Sequence, residues 1–300
     1  MWAGAASLVP REPTMEDPNV PFSSLGTAYP DLSISVGLLS HERVIYEELN
    51  TGEANVTLFL PTNFAYNESY YQPEDVPESP TELNRATYRY NIVPGIYDTK
   101  TLQEQNSTFL RTSSVDPKYT LVTGGALIET RNISRGFFVR SGLGEQAGMS
   151  KFDIPFAGGI LHAIDQFFIL PADLATTAKI QNLDTLALTI QQCADDALPS
   201  QSDLSFFVPK NAALTAYRAA QSGHDPECDT LRSYITQGPV QTSGKLRSLE
   251  SVTALSVVTY NVSIGAGNAI VLGCGHRKAR IFRSDILIKN GVVHVIDSFL

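Results

Sequence analysis

Two histidine-containing stretches are the first place where residue types and spacing could do chemistry. His162 is followed three residues on by Asp165, and His294 by Asp297, so each pair could be read as a general base with an orienting carboxylate. In an extended strand, however, side chains alternate, and positions i and i+3 point to opposite faces. A hydrogen-bonded structural histidine among apolar neighbours is therefore the expectation for both. No nucleophile accompanies them, because Gly-X-Ser-X-Gly and His-Glu-X-X-His are absent from the sequence. Cys274-Gly275-His276 looks like part of a metal site, but zinc needs three or four ligands, and Cys193, Cys228 and His224 stand at no paired spacing with it. In an oxidising compartment Cys193 and Cys228 could form a disulfide and leave Cys274 as the odd thiol; three buried free thiols is the alternative. Neither catalysis nor a metal or cofactor is expected.

Charge points the same way. The chain carries 22 Lys+Arg against 31 Asp+Glu, a net charge of −9, which argues against a nucleic-acid scaffold, since affinity for phosphate backbones comes from clustered cations. Residues 1–172 hold 11 Lys+Arg against 20 Asp+Glu, and residues 173–300 hold 11 against 11, so the first part carries the whole imbalance. Within the neutral part, Arg277, Lys278, Arg280 and Arg283 gather four cations in seven residues. Such a run is ordinarily a solvated strand face; on an extracellular protein it could also meet an anionic polysaccharide or phospholipid.

The elements that position these residues follow from a repeat. Asp153 to Asp165 recurs as Asp285 to Asp297, identical at six of 13 positions without a gap. Upstream, Phe59-Leu60-Pro61-Thr62-Asn63-Phe64-Ala65 matches Phe207-Val208-Pro209-Lys210-Asn211-Ala212-Ala213. The same order twice means tandem copies of one module. The first copy is about 16 residues longer between these motifs, and the Pro-, Ser- and acid-rich run from Tyr70 to Thr81 is the expected surface insertion.

An apolar strand ending in Pro61-Thr62-Asn63, then Tyr90-Asn91-Ile92-Val93-Pro94-Gly95, then Asp153 to Asp165, resembles the fasciclin (FAS1) domain. The second copy resembles it through Ser205 to Ala213, Tyr234 and Asp285 to Asp297. The family often has His after the Tyr of the middle motif, a position that reads here as Asn91 and Ile235; Lys210 replaces the Thr of Pro-Thr-Asn, and Tyr234 is not followed by Pro-Gly. The resemblance implies an α+β fold of two tandem FAS1-like modules, each with N-terminal helices and a C-terminal antiparallel β-sheet wedge or sandwich. The expected limits are a disordered leader over 1–30, a first domain over 31–172 and a second over 173–300.

Residue patterning gives the same architecture. Leu32, Val36, Leu39, Ile45 and Leu49 fall near helical spacing, as do Leu174, Ile180, Leu183, Leu186 and Ile190. Val56 to Leu60 and Leu204 to Val208 read as short strands followed by helix entry, with Asn63 and Asn211 as the caps. Strands are expected over Ala254 to Ile264, Ala269 to Cys274 and Ala279 to Arg283. Asn290-Gly291, between Ile286 to Ile288 and Val292 to Ile296, predicts a two-residue type I′ hairpin. Helices first and strands later argue for α+β.

Five Asn-X-Ser/Thr acceptors occur, at Asn55, Asn67, Asn106, Asn132 and Asn261, where 50 Ser+Thr and 14 Asn give about two by chance. The expectation is a secreted or cell-surface glycoprotein, with a vacuolar or other secretory lumen as the alternative. Ala3-Gly4-Ala5 is similar to a cleavage site, although no basic segment precedes it and Pro10 ends the apolar run early. The last residues, Phe299-Leu300, fall inside an apolar run, and further natural sequence is expected beyond them. The resemblance implies a non-enzymatic adhesion protein that binds other cell-surface proteins or polysaccharides, with a membrane engaged only through an anchor outside this chain. The alternatives are a membrane-associated lumenal protein acting in membrane or wall organisation, and an enzyme acting on wall carbohydrate, which would need two suitably separated carboxylates.

Overall fold

An apolar run buried along its whole length must lie inside a sheet, and Val56–Pro61 and Leu204–Pro209 are such runs. In the computed structural model, which describes residues 20–68, 81–104, 107–133, 136–193 and 197–300, each is the second or next-to-last strand of a seven-stranded mixed sheet. The first module contains β1 (Val56–Pro61), β2 (Ile92–Pro94), β3 (Ser107–Arg111), β4 (Leu127–Ile133), β5 (Gly136–Arg140), β6 (Gln146–Phe156) and β7 (Gly159–Ile164), ordered β2-β1-β7-β6-β5-β4-β3. The second contains β8 (Leu204–Pro209), β9 (Ile235–Gln237), β10 (Ser251–Thr253), β11 (Thr259–Ile264), β12 (Ile270–Cys274), β13 (Arg277–Ile288) and β14 (Gly291–Ile296), ordered β10-β11-β12-β13-β14-β8-β9. All pairings are antiparallel except β1 with β7 and β14 with β8. The expected strand over Ala254 to Ile264 is broken: Ala254 N–H donates to Val258 O, and the exposed Val257 has φ 61°, so β10 and β11 are joined by a turn.

Alternation along β1 divides each module into two cores. Leu58 and Leu60 face the helices 33–40 and 43–50, packing with Leu39, Ile45 and Leu49; Phe59 faces the other way, among Tyr90, Leu110, Ile128 and Val139. Phe206 and Phe207 divide in the same way in the second module. The long strands β6 and β13 slip register between Met149 and Ile154 and between Ile281 and Ile286. Such bulges bend a strand, and the distal strands of the first module reach its second core through Leu110, Ile128 and Val139.

Several local expectations change in the structure. The leader does not extend to residue 30: Phe22–Ser24 and Leu25–Ala28 are helical, and Phe22 and Leu25 are fully buried in the first core, while residues 1–19 lie outside the described residues. The helix caps act across elements. Asn63 Oδ1 accepts from Ile34 N at 3.1 Å and Asn211 Oδ1 from Asp184 N at 3.1 Å, so each asparagine caps an earlier helix and not its own. The hairpin before β14 turns through Lys289-Asn290, with Ile288 opposite Gly291; neither turn residue has positive φ, which excludes type I′. The Asn290 amide instead donates to Leu198 O (2.8 Å) and Gln201 O (3.2 Å). The expected insertion over Tyr70 to Thr81 lies, apart from Thr81, outside the described residues.

The middle motif also shifts by one residue. Ile92 pairs with Leu58 and Ile235 with Phe206, and Asn91 N–H donates to Tyr88 O as Tyr234 N–H does to Leu231 O. Tyr234 therefore occupies the backbone position of Asn91, not that of Tyr90, and Gly238 that of Gly95. Gly95 N–H donates to Asn55 O and Gly238 N–H to Asp203 O, which fixes the alignment.

The modules share a small core of their own, made by Val122 and Leu127 with Val240, Leu287 and Val292. Backbone bonds from Leu121 N to Lys289 O (2.7 Å) and from Lys289 N to Ala172 O (2.8 Å) flank it, and Thr123 N donates to Asp203 Oδ1 at 2.9 Å.

Gly159 and Gly291 are required by the parallel pairing. At φ 151° each lets its neighbour approach so closely that a Cβ would lie 1.9 Å from Val56 O and 1.7 Å from Leu204 O, respectively. Gly159→Ala and Gly291→Ala are each expected to lower stability by about 2 to 4 kcal/mol, combining backbone strain and overpacking. Gly267→Ala, at φ 65° with nothing near, should lose about 1 kcal/mol or less. Chemical unfolding of the three variants checks the contrast.

Candidate functional site

The repeated histidines sit where the bulge meets the loop after the middle strand. In β6 the bulge residue Asp153 has φ 52°, and in β13 its counterpart Asp285 has φ 62°. That left-handed turn aims the Asp153 N–H at His162 Nδ1 (3.3 Å) and the Asp285 N–H at His294 Nδ1 (3.3 Å). With Nδ1 accepting, each ring carries its proton on Nε2. His162 Nε2 donates to Tyr97 O at 2.9 Å, and His294 Nε2 to Gln241 O at 2.7 Å. The aspartate carboxylates complete the node: Asp153 accepts from Thr99 N (2.8 Å) and the Thr99 hydroxyl, and Asp285 accepts from Ser243 N (2.7 Å). In each module these bonds reach the first residue of a short helix, whose own cap is Asp98 in the first and Thr242 in the second.

Both rings are fully buried and lie against Phe59 or Phe207. Burial pushes both imidazoles below the usual histidine pKa, so they are neutral at physiological pH. Asp165 and Asp297 face elsewhere, accepting from Gly148 N (2.6 Å) and Arg280 N (2.8 Å). The partner of each histidine is thus the bulge aspartate nine residues earlier, a relation set by hairpin register that the i+3 spacing conceals.

The other motif residues are also structural. The Pro61 carbonyl accepts from Ser35 Oγ at 2.6 Å, Thr62 N–H donates to Ile164 O at 2.8 Å, and Lys210 N–H, after Pro209, donates to Ile296 O at 2.9 Å. Tyr90 OH donates to Leu127 O at 2.8 Å; Tyr234 OH donates to Leu300 O and accepts from Leu300 N at 2.6 Å. Burial raises both phenols, so neither ionises at ordinary pH.

The four cations are not brought together. On β13, Lys278 pairs with Gly273 and Arg280 with Val271, which places them on the outer face with Asn261 and Ser263 of β11. Arg277 lies on the other side of the strand and donates to Leu300 O at 3.3 Å, while Arg283 lies within the stretch where the register slips. Arg280 faces the Asp297 carboxylate at 3.7 Å.

Of the acceptor asparagines, Asn55, Asn67 and Asn261 are exposed, Asn132 is half-buried, and Asn106 lies outside the described residues. Cys193 and Cys228 form a disulfide joining the helices 184–192 and 228–232. Cys274, half-buried beside the Gly275-His276 turn, is the free thiol. Among the described residues no group of three or more His, Cys, Asp or Glu could hold a metal, and no helix is long and apolar enough to cross a membrane.

The depressed histidine pKa values give stability a definite pH dependence. The unfolded chain takes up protons near pH 6.5 and the folded one only at lower pH, so the contribution is complete above about pH 6.5 and is lost on acidification through the folded values. His162→Ala and His294→Ala should each remove about 2 to 4 kcal/mol at pH 7.5, from the cavity and the unpaired Tyr97 or Gln241 carbonyl. The double variant should lose stability less steeply between pH 6.5 and 5 than the parent. Denaturant midpoints across that range test both statements.

The chain is 25% identical over 285 residues to the fasciclin-like arabinogalactan protein elcF of Phaeosphaeria nodorum, covering 93% of this chain and 87% of that protein. It is 27% identical over 275 residues to the fasciclin-like arabinogalactan protein CTB11 of Cercospora beticola, covering 87% and 71%. A solved FAS1 domain pair from the insect cell adhesion molecule fasciclin I has a TM-score of 0.41 and 14% identity, over 89% of this chain and 95% of that one. The Fasciclin domain matches residues 30–171 and again residues 181–300. With most of its length covered by these two matches, the chain belongs to the fasciclin domain family.

Proposed function

We propose that this protein is a non-enzymatic secreted or cell-surface glycoprotein that works by surface contact with wall polysaccharides or neighbouring surface proteins. The observation that carries the reading is the burial of both repeated histidines, each fully hydrogen-bonded to the fold with no face open to a substrate. The side chains most suited to chemistry hold the module together, and function is left to its exterior. The exposed acceptors Asn55, Asn67 and Asn261 and the Cys193–Cys228 disulfide suit passage through the secretory route. The fungal relatives named fasciclin-like arabinogalactan proteins favour a sugar-bearing surface protein.

Contact with polyanions is confined, in this reading, to the outer face holding Lys278 and Arg280. Asn261 is in the same cross-strand row as Lys278, two strands away at about 5 Å per strand, so a glycan there shields the cations. Exposed charges of this kind act over about 8 Å at physiological salt.

Material from a secretory host should lose mass on N-glycosidase treatment at two or more of the five acceptors; unchanged mass would remove the compartment argument. The purified protein should be retained on wall polysaccharide without releasing new reducing ends, whereas sugar release would make it a hydrolase. Asn261→Gln should strengthen retention on an acidic polysaccharide, and Lys278→Ser with Arg280→Ser should weaken it more than Arg277→Ser with Arg283→Ser. Equal retention of the two double variants would return the cations to an ordinary solvated strand.

A further inference from the structure

The first module contains a cavity of about 270 Å³ between the helices 33–40, 63–68 and 82–90 and the end of β1. Leu39, Leu60, Leu83 and Ile92 give it apolar walls, Phe167 lies on one side, and among the described residues none that lines it is charged. For scale, a cavity of roughly 150 Å³ takes up benzene, so this one has room for about two fused rings.

One polar atom in the lining is out of place. Asn91 is 5% exposed, and its Oδ1 is buried with no hydrogen-bond partner. An unpaired buried acceptor is unfavourable by about 1 to 3 kcal/mol, which a fold avoids unless something else supplies the donor. The Ser35 hydroxyl does not supply it, since it already donates to Pro61 O at 2.6 Å.

The second module shows what the same backbone position accepts. There Tyr234 stands in place of Asn91, and its ring packs edge-on against Phe299 with centroids 5.6 Å apart. Phe299 lies three residues beyond Ile296 just as Phe167 lies three beyond Ile164, and those isoleucines occupy matching pairs with Pro209 and Pro61. In the first module Phe167 packs edge-on against Tyr66 from the helix 63–68, with centroids 4.8 Å apart, and position 91 carries a short amide with an unused acceptor beside open volume.

We propose that this cavity is a binding site for an uncharged, ring-bearing small molecule with one hydroxyl or N–H donor, the rings lying among Leu39, Leu60, Ile92 and Phe167 and the donor meeting Asn91 Oδ1. The site is separate from the outer strand face discussed above, and it gives the first module a role that the second does not share. The Asn91 contact sets selectivity, and the apolar walls set affinity.

The test uses 1-naphthol, which is neutral at pH 7, and naphthalene, which has the same rings without the donor. The two-module protein is expected to bind both saturably by fluorescence titration, with 1-naphthol about 3- to 10-fold tighter. Asn91→Leu should abolish that preference while retaining naphthalene. Thr87→Trp, from the helix 82–90 into the cavity, should remove both. Leu83→Trp, at a mouth position that is 53% exposed, is the second blocking variant, so that misfolding of one does not decide the matter. Circular dichroism identifies the variants that fold. No saturable binding of either compound, binding undiminished in a folded blocking variant, or an unchanged preference in Asn91→Leu would each overturn the proposal.

Discussion

Each module depends on one residue held in a conformation that most side chains avoid. Asp153 and Asp285 take left-handed backbone angles inside a long strand, and that turn simultaneously bends the sheet, offers an N–H to a buried histidine and sends a carboxylate to the start of a short helix. Short polar side chains tolerate this region better than others, which explains aspartate at the bulge. The histidine then ties the bulge to the loop after the middle strand through Tyr97 O or Gln241 O. Helices, sheet and loop meet at this point, and the two cores on either side of β1 and β8 keep their relative positions through it.

The second module's node lies close to the junction between modules. Asp285 is 1% exposed and adds to the burial that raises the Glu129 carboxyl above its ordinary pKa, with Arg140 at 3.0 Å acting in the opposite direction. Arg140 also reaches across to Ser284 O at 3.4 Å. Acidic groups that repel at a junction are held there by the apolar contact of Val122 and Leu127 with Val240, Leu287 and Val292. The same hairpin that carries the repeated signature in the second copy therefore carries the contact surface for the first.

What was legible in the sequence was periodic or repeated. Helical spacing from Leu32 to Leu49 appears as the helices 33–40 and 43–50, and the apolar run at Val56 appears as an interior strand. The α+β class followed from element order. Non-local relations were hidden. Asn63 and Asn211 look like local caps, yet they satisfy helices about thirty residues earlier, because the strand and helix ends converge only after packing. Tyr234 matches Tyr90 by residue type but Asn91 by backbone, since pairing with β8 and not side-chain identity sets the register. The four cations are adjacent along the chain and divided in space by strand alternation. Asn91 could have been noticed as a polar residue inside Tyr90 to Val93, but only packing reveals that its oxygen has no partner.

The parallel pairing of β1 with β7 constrains how the chain is made. Val56 meets Gly159 more than a hundred positions later, so β1 cannot acquire its second neighbour until that segment has left the ribosome. Contacts of such high sequence separation form slowly, because the loop must close before they contribute. At roughly 5 to 20 residues per second of synthesis, the first module has several seconds to complete itself before β14 emerges. Once finished, it offers Val122 and Leu127 as an apolar ledge to the unfinished second half. The nascent second module can therefore assemble against a template that is already rigid, and the order of translation becomes part of how the pair is built.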